Sequence, residues 1–358
     1  MQFNHFQERA NRVNQGVPDS DWEPAQIIDG GGADSFGADA PPPPLRPNPV
    51  PDRAVLKSTC ALQMAEQLEA VGYELICYQT TPGQWDGTLS ITKDPEGGDN
   101  CMYLAIEINV GCRFLGKRNM NVTCVATMLS GDGGWRTQKM EQPMVGGFNA
   151  TEELSNWYTD HGCKLLCCFM PKQTLLAAAD KYLTAKQILA GSNLCRADTY
   201  RHSQWVCECM TRLHGGRAVE SMLPLSLKML ETAEEVTQLP DFTELDVVVG
   251  QALPGYVDRI RKGEDITVQL MTKELSISQA ALSARLKSLL NITPGKLIQK
   301  TKTEIVIRLL QNTGARRTAG IADGLQAAAN FVHWDARTAR TNLDKLGYSA
   351  AEIKKRPA

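Results

Sequence analysis

Between Tyr73 and Leu129 four short runs rich in β-branched and aromatic residues follow one another: YELICYQTT, GTLSITK, MYLAIEINV and VTCVATML. The stretches around them, PGQWDG, DPEGGDN, LGKRNMN and SGDGGW, concentrate Gly, Asn and Asp, the residues that close turns. Alternating side chains of this kind suit a pleated sheet with a buried face, and separators this short favour antiparallel neighbours. The pattern predicts an antiparallel sandwich or barrel, with another strand pair expected through KLLCCFMP. From about Ala54 to Gly72 a helix, with ALQMAEQLEAV at its centre, is expected ahead of the sheet. From Gln173 the apolar period lengthens to that of helices, in QTLLAAADKYL, SQWVCECMTRL and ESMLPLSLKMLETAEEV. These helices are expected to pack on the sheet or to pair with a second copy. Leu239-Pro240 marks a boundary, and TELDVVVGQALPGYVDRIRKG opens a part that reads as helical to the end.

The fold class expected is therefore α+β: an N-terminal antiparallel β barrel or sandwich with packed helices, then an all-α domain. Residues 1–52 include DGGGADSFGADAPPPPLRPNPVPD, too poor in apolar surface to offset the entropy of ordering, and read as a disordered arm with a stiff Pro spacer. The β-rich domain is expected over 53–240 and the helical one over 241–358.

Charge separates along the same line. The chain of 358 residues has a net charge of −2, yet from Gln251 onward 18 Lys and Arg stand against 9 Asp and Glu. A basic last third behind an acidic body suggests a polyanion-binding module joined to something else. All eleven cysteines lie between Cys60 and Cys209, an odd number. With no apolar signal-peptide core in MQFNHFQERANRV and no run near the ~20 apolar residues that cross a bilayer, a cytoplasmic, reduced setting without membrane insertion is expected.

The stretch SISQAALSARLKSLLNITPGKLI, residues 276–298, points to the partner. ITVQLMTKEL sets Val268, Met271 and Leu275 on one helical face, Ser276-Ile277-Ser278 interrupts it, and Ser278 is a good N-cap for a second helix. In that helix Leu282, Leu286 and Leu289 form a stripe that must face a core, while Gln279, Ser283, Ala284 and Lys287 lie opposite, with Arg285 on the flank. Two helices and a short turn with small polar and basic residues outward make a helix-turn-helix suited to a major groove. Small residues allow close approach, Gln reads base edges and basic groups reach phosphates. Thr293-Pro294 then turns the chain into a long helix with Ile298, Ile305, Leu309 and Leu310 inward, and IADGLQAAANFVHWDARTARTNLDKLGYSAAEIKKR offers a second helix pair and a basic tail.

This order resembles the AraC/XylS family of bacterial transcription regulators, whose DNA-binding domain is two helix-turn-helix units joined by a long helix. The resemblance is carried by Leu282, Leu286-Lys287, Thr293-Pro294, Arg308-Leu309-Leu310, Ile321-Ala322, Phe331 and Leu346-Gly347-Tyr348-Ser349, over about a hundred residues. Phe331-Val332-His333-Trp334 is similar to the branch that includes the ethanolamine-utilisation regulator, and CYQTTPGQWDGTLSI with ATMLSGDGGW looks like the β sensor half of such proteins. The chain departs from the pattern at Asn330, where Gly is usual, and at Asn342-Leu343, where an aromatic and Lys are usual. The resemblance implies a DNA-binding activator, with double-stranded DNA as partner, and candidate contacts to RNA polymerase, to a small-molecule or protein effector, and to a second copy. Gln279, Ser283, Ala284 and Lys287 would read bases, Arg285, Lys296, Lys300, Arg337 and Arg340 would hold phosphates, and the departures leave most base reading to the first unit.

Other candidates stay open between two readings each. His161, Cys163, Cys167, Cys168, His202, Cys207 and Cys209 invite zinc, but C-x3-C and C-x-C are not the usual ligand spacing, and core or redox-sensing thiols are the alternative. His333 is either a base-edge donor or an interface histidine. Trp85 and Trp135 either line a ligand pocket or close the end of the sheet. Glu107 and Asn109 share one face of a strand and read as solvent-facing. No Walker, G-x-S-x-G or H-E-x-x-H pattern occurs, so no enzyme, cofactor or metal site is expected. The rival to a regulator is an adaptor whose helical domain binds protein.

Overall fold

Two antiparallel sheets of very different width form the N-terminal half. The computed structural model describes residues 53–353, except 70, 94–101, 119–121, 137, 142, 149–153 and 218; the 1–52 arm lies outside the described residues. In chain order come β1 (Arg53–Ser58), α1 (Ala61–Glu69), β2 (Tyr73–Gln79), β3 (Gly87–Lys93), β4 (Met102–Ile108), β5 (Cys112–Arg118), β6 (Val122–Gly131), β7 (Gly134–Trp135), β8 (Gln138–Lys139), β9 (Met144–Phe148), β10 (Leu154–Thr159) and β11 (Cys163–Pro171). Then follow α2 (Lys172–Ala178), α3 (Leu183–Ala190), β12 (Ser192–Arg196), α4 (Thr199–Leu213), α5 (Met222–Glu231) and β13 (Glu234–Gln238). The remainder is helical: α6 (Glu244–Arg261), α7 (Val268–Glu274), α8 (Gln279–Leu290), α9 (Pro294–Gln311), α10 (Thr313–Thr318), α11 (Leu325–Phe331), α12 (Ala336–Lys345) and α13 (Ala350–Ile353).

The large sheet runs β1-β3-β4-β11-β6-β9-β12-β13 and the small one β2-β5-β10-β7-β8, every described pair antiparallel. They form a sandwich, not a closed barrel; Tyr73 of β2 meets Phe169 of β11 edge to face across it, ring centroids 5.9 Å apart. The outer face of the large sheet, with Tyr103, Ala105, Val125, Leu166 and Cys168, is covered by the helices α2–α5 around a fully buried Trp205. That is why β11 reads as a continuous apolar run from Leu165 to Met170: both of its faces are covered there. In the small sheet the alternation separates duties. Cys77, Phe114 and Trp157 face the large sheet, Phe114 and Trp157 stacked at 3.8 Å, while Ile76, Leu115 and Asn156 face the C-terminal helices. Helix α6 lies on β2, β5 and β10, and Gly250 makes that approach possible, since a Cβ there would stand 2.8 Å from the Leu154 methyl groups.

Several expected boundaries shift. LGKRNMN, read as a turn, contributes its first half to β5, because Phe114 and Leu115 bury while Lys117 stays in solvent. Ala54–Lys57, placed in a helical segment, belongs to edge strand β1; ETAEEV ends α5 and enters β13; and KLLCCFMP is one long strand. Helix α9 is buried from Thr301 to Gln311 on every side, so its Lys302, Glu304 and Arg308 are interior residues, and Ile298 is only half-buried. Residues 51–358 cluster as one compact unit. Among the described residues no helix is long and apolar enough to cross a membrane.

Candidate nucleic-acid interface

Helices α7 and α8 take their limits from local chemistry. Thr267 caps α7, its hydroxyl accepting from the Leu270 N–H at 3.2 Å, and Ser278 caps α8 by accepting from the Ala281 N–H at 3.1 Å. Each such cap stabilises a helix by about 1 kcal/mol. Between them Ser276 takes a left-handed conformation, φ +53°, which produces the sharp reversal. Asn291, φ +54°, ends α8, and Thr293 with Pro294 at the first helical position starts α9. Leu282, Leu286, Leu289 and Leu290 are buried, as the stripe requires.

The opposite face of α8 is open. Gln279, Ala284 and Lys287 are exposed and Ser283 half-buried; Ala280 and Ser288, which no motif singles out, are exposed beside them. Two of the proposed phosphate contacts are turned inward instead. Arg285 lies half-buried with Nη1 3.5 Å from Oδ1 of Asp246, a carboxylate that also caps α6 through Thr243. Lys300 donates from Nζ to the Gln79 carbonyl at 2.6 Å above the Tyr78 ring, and burial lowers its pKa. Both amino-acid types are common phosphate ligands, and nothing in their spacing reveals that an acidic cap and a sheet carbonyl reach them first. Lys296, in the first turn of α9, is exposed.

The α11–α12 pair is built similarly. His333, φ +58°, forms the turn, with Nε2 2.8 Å from the Gly263 carbonyl, so it joins this turn to the end of α6. Asp335 caps α12 by accepting from the Thr338 N–H at 2.6 Å; that bond is the main reason its carboxyl sits below the usual range. Ala339, Asn342 and Leu343 are buried, while Arg337, Arg340 and Thr341 are exposed, Arg337 and Arg340 on one face. Asn342 has a definite job: its Oδ1 accepts from Gln299 Nε2 of α9 at 2.6 Å, and its Nδ2 donates to the Thr338 carbonyl at 3.0 Å.

What the sequence hides is how the sheets hold these helices. The last carbonyls of α8, which have no partner within the helix, accept from Asn156 Nδ2 (Leu289, 2.8 Å) and from the Tyr78 hydroxyl (Leu290, 2.8 Å). Helix α9 faces α1 and β2 with a stripe of Lys300, Glu304, Arg308 and Gln311. Glu304 accepts from the backbone N–H of Ala61 and of Gln79, both at 3.2 Å, and so caps α1 from a distant part of the chain. Burial pushes its pKa up to about 7, against the pull of those hydrogen bonds and of Lys300. Arg308 lies 3.4 Å from Glu66, and Gln311 exchanges bonds with Thr59.

Trp85 is buried, its Nε1–H donating to Ser58 Oγ at 2.9 Å, and Trp135 stacks on Phe148 at the edge of a shallow cleft that also includes Arg136, Leu154, Asn156 and Leu239. Cys163, Cys167, Cys168 and Cys209 are buried, Cys207 is exposed, and His202 Nε2 is 2.9 Å from Thr127 Oγ1. Burial raises the Cys163 thiol, and Cys167 lies well above its ordinary value beside Cys124. Glu107 pairs with Lys164, and Asn109 bonds to the 84–86 turn at the surface.

No family model matches the chain, and no curated protein matches it. Among solved structures it is similar to the AraC-like transcriptional activator CuxR, with 10% identity over 65% of this chain and 89% of that one, at a TM-score of 0.37. It is also similar to ToxT from Vibrio cholerae, with 8% identity over 79% of this chain and 98% of that one, at a TM-score of 0.28. ToxT bound to (E)-4-(8-methylnaphthalen-1-yl)but-3-enoic acid shares 9% identity over 79% of this chain and 98% of that one, at a TM-score of 0.28.

Proposed function

We propose that the chain is a sequence-specific DNA-binding transcription regulator, with α7–α8 and α11–α12 as two helix-turn-helix units that engage double-stranded DNA. The observation that carries this reading is the outward face of α8: Gln279, Ala280, Ala284, Lys287 and Ser288 stand exposed opposite a fully buried leucine stripe, on a helix capped at both ends. Such a face allows close approach to base edges, where a polar side chain makes a sequence-dependent bond. Lys296, Arg337 and Arg340 supply phosphate contacts; Arg285, Lys300 and His333, held by the protein itself, serve the frame. The AraC/XylS resemblance and the Phe331–Trp334 string support activation as the output and RNA polymerase as a further partner. Residues 53–240 are assigned to effector sensing or dimerisation, 241–358 to DNA, in a cytoplasmic protein with no enzymatic role.

A mobility shift of the full chain against random duplex tests the reading. Binding at low salt that weakens steeply with salt is expected, by about one unit of logarithmic slope per phosphate contact. No binding at low salt overturns it in favour of the adaptor. With a selected site in hand, Lys287→Ala is expected to weaken that site about fivefold to tenfold, within the range of a single base contact, and random duplex less than twofold. An equal loss on both would remove Lys287 from base reading.

A further inference from the structure

The segment directly after α12 docks into the sandwich through Leu346 and Tyr348. Gly347, φ +77°, turns the chain so that Tyr348 points back and buries, 5% exposed. Its hydroxyl accepts from the Trp85 backbone N–H at 2.8 Å and donates to Gln79 Oε1 at 3.3 Å. Next to it the Gly83 N–H donates to the Leu346 carbonyl at 2.9 Å. Gln79 closes the arrangement from the other side, its Nε2 donating to the carbonyls of Thr81 and Gly83, both at 2.7 Å. The loop over residues 80–86, between β2 and β3, is thus bonded at once to the end of β2 and to the end of the second helix pair. Tyr78, one residue before Gln79, holds the C-terminus of α8 through the Leu290 carbonyl, and the Gln79 backbone engages Glu304 and Lys300 of α9.

We infer that the end of β2 and its loop are positioning elements for DNA recognition: Gln79 and Tyr348 fix α12 relative to α8, and so set the separation of the two base blocks that the chain accepts. The inference rests on the DNA-binding reading above and adds to it a role for the N-terminal sandwich. Without the dock, α12 still lies against α9, joined to it by the Gln299–Asn342 bond and with Ala339 and Leu343 buried, so it is expected to remain folded. What it loses is a fixed orientation with respect to the strand that holds α8. Both residues are buried, which separates this role from direct contact with a duplex.

The test uses the full chain and a duplex selected by it from a random pool, with one base pair then inserted or removed between the two recognised blocks. One base pair displaces a block by about 3.4 Å along the axis and by about a tenth of a turn around it. The unmodified chain is expected to lose about tenfold or more on such sites, the cost of a missed base contact or two. Tyr348→Phe keeps the ring and removes the hydroxyl; Gln79→Met keeps the volume and leaves the backbone bonds to α9 intact. In either variant the spacing penalty is expected to drop below about threefold while binding to the best-spaced site changes less than about threefold. If one variant fails to fold, as read by thermal melting, the other carries the test. A spacing penalty unchanged in a folded variant overturns the inference, and so does an unmodified chain that binds its site with no spacing preference. An unmodified chain that binds no duplex at all overturns the DNA reading itself.

Discussion

Glu304→Ala is expected to lower the unfolding free energy by about 3–4 kcal/mol, within the range for leaving two buried backbone donors without an acceptor. The cause is specific. Glu304 is 2% exposed and supplies the acceptors for the backbone N–H groups of Ala61 and Gln79. Alanine leaves both donors buried without partners and removes the carboxylate nearest Lys300. Urea unfolding followed by tryptophan fluorescence reads the change; a loss under about 1 kcal/mol would show that water or a shift of α9 replaces the carboxylate.

The same residue gives a pH signature with a definite sign. Its carboxyl is raised from the ordinary 4.5 to about 7 by burial. Between those values the folded chain keeps a proton that the unfolded chain has released. The stability that this proton contributes is therefore complete below the unfolded value and is lost as pH rises through about 7. Glu304→Gln cannot titrate, so its unfolding free energy is expected to depend less on pH between about 5 and 7.5. Equal slopes in the two proteins would exclude Glu304 as the source.

The second large effect concerns DNA. The double change Arg337→Glu/Arg340→Glu is expected to weaken duplex binding by about a hundredfold at physiological salt and to reduce the salt slope by about two. Both guanidiniums are exposed on one face of α12, so the fold is expected to melt within about 0.5 kcal/mol of the unmodified chain. A mobility shift across a salt series measures the first, thermal melting the second. If affinity stays the same, α12 does not approach the phosphates, and α7–α8 would act alone.

These expectations differ in how far the chain spells them out. Ser278, Thr293-Pro294 and the Leu282, Leu286, Leu289 stripe are legible because a cap and a helical period are local: each needs only residues within a few turns. The alternation in GTLSITK and MYLAIEI is legible for the same reason. Lys300 and Arg285 are not. Their side chains look like a phosphate-holding surface, and only the assembled fold brings Gln79 and Asp246 to them. The polar stripe of α9 misleads more strongly, since Lys300, Glu304, Arg308 and Gln311 repeat at the period of a solvent face, yet their partners lie on α1, β2 and Thr59. Strand β5 was half hidden for a different reason: Gly116 and Lys117 imitate a turn, whereas the glycine is there because a Cβ would stand 2.1 Å from the Glu74 carbonyl. Asn342 stands apart from these. As a departure from the family pattern it suggests damage; in the structure it joins α12 to α9.

The cap that Glu304 places on α1 also sets an order of assembly. The two ends of that contact are 243 residues apart. A ribosome adding ~5–20 residues per second needs on the order of 10–50 s between them. Until residue 304 has been added, the N–H groups of Ala61 and Gln79 have no Glu304 carboxylate to accept them, so this contact between the first helix, β2 and α9 can close only when most of the chain has been made.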